Sequence, residues 1–198
     1  MLAWFHLAGR VVHLHRSELG LDESKVESER APEPFSRDPE ALWNEVSRRG
    51  GSEAMHADLA RHLDGSGDRE RRLQHARQHI SALLLAFEKP EAALQRTSRM
   101  LQIDRGFTLN DTDTMFALVW AASRHNPREL CAHLADNYLA RFPNSVKCNE
   151  VRLLACEALA EEPSGRRAMA EHWFRQLMTA DLADLQRERL AALAKRYL

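Results

Sequence analysis

The chain has 198 residues, of which 44% are hydrophobic and 29% charged, and its formal net charge is −1. A chain of this size can bury a core of its own, and its near-neutral charge excludes a global pull toward nucleic acid or an anionic membrane surface. Only 8 glycines and 7 prolines, with no run of alternating β-branched residues, leave a sheet without raw material and predict helices joined by short connections.

Met1 to Leu19 predicts a helix with a broad apolar surface formed by Leu2, Trp4, Phe5, Leu7, Val11, Val12 and Leu14. His6 and Arg10 interrupt it well short of the roughly 20 apolar residues that span a bilayer. Nor does it open with the basic residues of a signal peptide. Residues 1–16 therefore have three competing placements: docked on the rest of the chain, lying on a membrane surface, or forming the end of a membrane helix. Trp4 and Phe5, followed by Arg10, His13, His15 and Arg16, suit a membrane edge, where aromatic and then basic residues gather. Residues 17–37 are charge-rich, include Pro32 and Pro34, and predict an extended linker.

Residues 38–198 are expected to form one helical domain. Asp38 and Pro39 open a helix with Leu42, Trp43 and Val46 on its apolar side, and Gly50-Gly51 ends it. Ser52 starts a second, with Met55, Leu59 and Leu63 at four-residue spacing, up to Gly65 and Gly67. Three regular units follow, at about 68–104, 111–142 and 145–178, with a closing helix over 181–197 that Asp181 is expected to cap. Pro90, Pro127 and Pro163 recur at near-equal intervals, each opening the second helix of its unit, where a missing N–H costs little. In the first of these units Leu73, Ala76, Ile80, Leu83, Leu84 and Phe87 follow helical period and should face the core. In the closing helix, Leu182, Leu185, Leu190, Leu193 and Tyr197 are expected along one face.

The second helices align as Thr97/Leu101, Leu134/Tyr138 and Ala170/Phe174, and the first helices carry Ala82, Val119 and Ala155 in register, then Leu85, Ala122 and Ala158. Ala170 and Phe174 match the A-x-x-x-F spacing of the tetratricopeptide repeat, and the pattern as a whole resembles that family, whose unit is about 34 residues. Leu85 departs from it where a small residue is usual. So do Ser81, Leu118 and Leu154, and Glu88, His125 and Glu161, at the family's Trp and Tyr places. The resemblance implies an all-α fold, a right-handed stack of antiparallel helix pairs (a TPR-like α-solenoid) of about nine to ten helices. The segment 1–16 ahead of such repeats also resembles the arrangement of helical-repeat tails on bacterial inner-membrane proteins.

Candidate chemistry is sparse. His75 and His79 stand four apart on a helix, a spacing that can place two imidazoles on one metal, but Ala76, Arg77 and Gln78 between them supply no glutamate base. A third ligand would have to come from elsewhere, so no metal and no cofactor is expected. Arg69, Arg72, His75 and His79, with Arg71 and Arg77 nearby, form a basic stripe that no aromatic interleaves; it reads as a solvated face and not as a nucleic-acid surface. Asp111 and Asp113 fit a helix start without catalysis. No G-x-S-x-G elbow or glycine-rich phosphate loop occurs. Trp120 and Trp173 fall at core-like positions. Cys131, Cys148 and Cys156 are an odd number with no C-x-x-C pair, which predicts buried thiols in a reducing compartment.

The expected function is a non-enzymatic scaffold that binds a protein or peptide partner from the cytoplasm through the concave side of its first helices. Arg72, His79, Asn110, Asp113, Arg124, Lys147, Asn149 and Arg152 are the exposed candidates. The alternative is the cytosolic part of an inner-membrane-associated protein anchored through residues 1–16.

Overall fold

The computed structural model describes residues 38–125, 128–160 and 167–197. The expectations for residues 1–37, and for helix starts at Asn126–Pro127 and Pro163–Ser164, lie outside the described residues. The chain divides into two compact units, Met1–Leu42 and Trp43–Leu198. Of the first, residues 38–42 are described. They begin helix α1 (Pro39–Arg49), and the Asp38 carboxylate accepts from the Ala41 N–H at 3.2 Å.

All regular structure in the described residues is helical. After α1 come α2 (Glu53–Ser66), α3 (Arg69–Leu85), α4 (Pro90–Ile103), α5 (Thr112–Arg124), α6 (Arg128–Arg141), α7 (Cys148–Leu159), α8 (Arg167–Met178) and α9 (Asp184–Tyr197). Side-chain caps set several of the starts. Ser52 Oγ accepts from the Met55 N–H at 3.3 Å, Asp68 from Arg71 at 3.0 Å, and Asp111 from Thr114 at 2.7 Å. Each cap satisfies one of the N–H groups that a helix start leaves without a partner, which contributes about 1 kcal/mol. The last helix begins later than Asp181 predicts: the Gln186 side chain accepts from the Ala183 N–H instead.

Within the second unit, consecutive helices pack in series from α2 to α9. The first helix of each pair also packs on the next first helix: α3 on α5, α5 on α7, and α7 on α9. Small residues allow the close approach. Ala76 on α3, Ala121 and Ala122 on α5 and Ala155 on α7 are all essentially inaccessible. The aligned pairs of the second helices point inward as expected, with Thr97, Leu134, Tyr138, Ala170 and Phe174 all buried and Leu101 half-buried. The buried Thr97 hydroxyl donates to the Ala93 carbonyl at 2.8 Å, so no hydroxyl is stranded in the core. Two expectations fail. Trp120 is 46% exposed, and Leu185 at the start of α9 is 67% exposed.

The closing helix is held by charge as well as by Leu190 and Leu193. Arg189 donates from Nε to Glu157 at 2.7 Å, from Nη2 to the same carboxylate at 2.8 Å, and from Nη1 to Glu150. Both acids lie on α7, two turns apart. Tyr197 Oη donates to the Cys156 carbonyl at 2.7 Å at the other end. Removing Arg189 leaves two half-buried carboxylates on α7 facing the closing helix without a counter-charge. Arg189→Ala is therefore expected to cost about 2 kcal/mol in urea denaturation, below the range for a fully buried pair because these groups remain partly wet. Leu185→Ala on the same helix should change stability little. Equal effects from the two would refute the clamp.

Candidate functional site

The strongest concentration of chemistry lies between α2 and α3. His75 and His79 occupy the buried stripe of α3 that also carries Ala76, Ile80 and Leu83, because residues four apart share a helix face. From α2, His56 joins them, on the side of that helix that buries Leu59, Ala60 and Leu63. Gly50 and Gly51 make the turn before α2 with φ of 82° and 62°, a backbone that favours glycine. A Cβ at Gly51 would also meet Val46 Cγ2 at 2.8 Å. That turn brings the Gly50 carbonyl to 2.7 Å from His56 Nε2. A carbonyl can only accept, so Nε2 carries the proton and, in the neutral ring, Nδ1 presents its lone pair to the cluster. His75 Nε2 lies 3.2 Å from that Nδ1 and is the donor.

His56 stacks on both His75 and His79, which are themselves tilted by 36° to each other. Ring centres are 5.3 Å apart for His56 and His75, 4.7 Å for His56 and His79, and 5.6 Å for His75 and His79. One ligand atom from each falls within 4.8 Å of the others. His75 is wholly buried and His79 only 9% exposed. Burial pushes His75 down to about 3, and the neighbouring His56, His79 and Arg96 add to this. Burial likewise pushes His79 down to about 4, with Glu53 acting weakly in the opposite direction. His56 is lowered by burial, against the pull of its bond to Gly50. All three are therefore neutral near pH 7, each ring carrying one N–H and one lone pair. His75 Nδ1 and both nitrogens of His79 have no hydrogen-bond partner among the described residues.

Two cavities flank the cluster. One of 380 Å³ is lined by His56, Arg77, Gln78 and Asn110 among others, and one of 290 Å³ by Glu53, Asp64, His79, Gln95, Arg96 and Arg99. Arg96 reaches from α4, is 8% exposed, and has Asp64 at 3.8 Å from Nη1, while its Nε and Nη2 lack partners among the described residues.

The structure distributes the sequence-predicted surface residues unevenly. His79 is buried instead of exposed. Arg72 is spent on α2, donating to the Leu63 and Asp64 carbonyls at 3.2 and 3.0 Å. The basic stripe is a solvated face only in part: Arg69 and Arg71 are exposed and Arg69 pairs with Asp104, whereas the histidines are internal and Arg77 donates to the Thr108 carbonyl at 3.0 Å. Lys147 and Asp113 come together at 2.6 Å, Asn149 accepts from Arg152 at 2.9 Å, and Asn110 accepts from Arg141. Arg124 lies over the Trp120 ring, 5.5 Å from its centre. Trp120, missed by periodicity, belongs to this exposed set. The cysteines are free and buried, and burial pushes Cys131 and Cys156 up to about 12, which makes them poor nucleophiles.

No protein-family model, curated protein or solved structure matches the chain. No helix among the described residues is long and apolar enough to cross a membrane.

Proposed function

We propose that the chain is a non-enzymatic, TPR-like helical-repeat module that binds a protein partner in the cytoplasm across the surface of its first helices. The observation that carries this reading is a groove of 490 Å³ crossing three successive first helices. Its walls are Ser123 and Arg124 of α5, Leu154, Glu157 and Ala158 of α7, and Leu185 and Arg189 of α9. Serial packing of first helices is what a repeat stack needs to build a continuous surface. Beside the groove, the exposed Trp120 ring and the Arg124 guanidinium over it are the residue types that dominate binding energy at protein interfaces. Leu185 adds an apolar contact that the closing helix does not use for its own packing. The partner that fits presents an apolar side chain next to a carboxylate.

Affinity capture with the full-length chain, read by mass spectrometry, tests this. At least one protein should be retained by the natural chain and lost on Trp120→Ala or Arg124→Glu while the thermal melt stays unchanged. A hot-spot tryptophan contributes about 2 kcal/mol or more, so retention should fall at least about 30-fold. Capture of nothing above control, or equal capture by both variants, overturns the reading.

A further inference from the structure

The histidine cluster lies apart from that groove, and nothing in a binding surface calls for it. We propose that His56, His75 and His79 form a site for one divalent late first-row transition-metal ion, Zn²⁺ foremost, which ties α2 to α3.

Three geometric facts support it. Imidazoles bound to one tetrahedral ion through bonds of about 2.0 Å have ligand nitrogens about 3.3 Å apart and ring centres about 5 Å apart. The 3.2 Å separation of His56 Nδ1 and His75 Nε2 already matches the first figure, and the three centroid distances straddle the second. The widest nitrogen separation need close by about 1.5 Å, within reach of side-chain rotation.

The second argument is polar bookkeeping. A structural cluster of imidazoles would be expected to satisfy its nitrogens, since a buried unpaired nitrogen costs about 1–3 kcal/mol and an apolar side chain of similar shape costs nothing. Here the His56–His75 bond accounts for two nitrogens and leaves three others buried without partners. A metal on His56 Nδ1, His75 Nε2 and one nitrogen of His79 replaces the His56–His75 bond, with the His75 proton moved to Nδ1, and takes up one of the two unpartnered His79 nitrogens. His56 is prepared for it, because its bond to Gly50 fixes the tautomer and leaves Nδ1 bare, the outer-shell arrangement usual for metal-bound histidine. Imidazole donors with no thiolate favour zinc, copper or nickel over calcium or magnesium.

Arg96 opposes a cation, and it also indicates the fourth ligand. His79 and Arg96 line the same 290 Å³ cavity, and Arg96 has two N–H groups there without acceptors. A metal-bound water or small anion in that cavity completes the shell and accepts from Arg96. Glu53, held by Lys89 at 2.6 Å, is a further negative charge on the same wall.

The test uses the full-length chain, stripped with chelator and desalted, at neutral pH. Zn²⁺ titration followed by calorimetry should show one equivalent bound with micromolar or tighter affinity, and Co²⁺ should give the strong visible absorption of a four-coordinate ion. Each of His56→Gln, His75→Gln and His79→Gln should weaken binding at least tenfold, while His172→Gln, on the exposed face of α8, should not. Should any variant fail to fold, the natural chain decides by NMR: zinc must shift the three buried imidazole signals and leave that of His62 in place. Absence of stoichiometric binding, or binding that persists in the folded variants or moves only exposed imidazoles, overturns the site.

Discussion

Metal-free protein is expected to lose about 4 kcal/mol of stability between pH 7.5 and pH 5, well before its carboxylates titrate. In the unfolded chain His75 and His79 take up protons near their ordinary value of 6.5, whereas in the folded chain they resist until about 3 and about 4. Below pH 6.5 the unfolded state therefore binds more protons than the folded one, and acid favours unfolding. The stability these rings leave intact is fully present above 6.5 and is lost as the pH falls toward 4 and then 3. At pH 5 each ring should cost roughly 2 kcal/mol. Asp and Glu residues of ordinary pKa remain ionised across that window, which separates the effect from general acid denaturation. Urea midpoints measured with chelator present should fall clearly between the two pH values, and the His56→Gln/His75→Gln/His79→Gln triple variant should show a flat profile, whatever its absolute stability. Equal midpoints for the natural chain, or a loss that persists in the triple variant, would show that the cluster is not what titrates.

The helix punctuation was readable from sequence because it depends on neighbours. Asp68 and Asp111 cap helices three residues ahead of the N–H groups they satisfy, and Pro90 occupies a first turn where its ring is harmless. The buried pairs four residues apart were readable for the same reason. What failed was phase. Leu182 lies in the segment before α9 and not in the helix, so spacing counted from it assigned Leu185 to the core, although it is exposed at the first turn. On α5, apolar residues surround most of the helix, with Leu118, Val119, Ala121 and Ala122 all buried, so no pattern distinguished the open side that Trp120 occupies. The candidate metal site was half visible. His75 and His79 are related by one helix and so by a fixed spacing. His56 arrives from another helix, through a turn whose geometry rests on Gly50 and Gly51, and linear spacing carries no trace of that. The remaining clue was that His56 shares a periodic apolar face with Leu59 and Leu63, an unusual place for an imidazole without a partner.

Tyr138→Ala should be among the most damaging single substitutions in the chain, costing about 3–5 kcal/mol. The ring is wholly buried on α6, stacked at an angle on Phe142 with centres 5.2 Å apart. Its helix packs on both α5 and α7, so the cavity opens at a joint shared by two neighbours. Its hydroxyl shares a hydrogen bond of 2.7 Å with Ser145 Oγ, which in turn accepts from the Lys147 N–H at 3.2 Å and so fixes the turn into α7. Two contributions can thus be separated. Tyr138→Phe keeps the packing and removes only the hydroxyl, and should cost about 1 kcal/mol. The remainder lost in Tyr138→Ala is cavity and lost burial, in line with deletion of a large core side chain. If the stack transmits stability through neighbouring interfaces, hydrogen exchange in Tyr138→Ala should quicken in α5 and α7 along with α6, and α2 should retain its protection. A loss for Tyr138→Phe equal to that for Tyr138→Ala would place the weight on the hydroxyl alone, and uniform exchange along the chain would mean that the unit unfolds as one block instead of as coupled repeats.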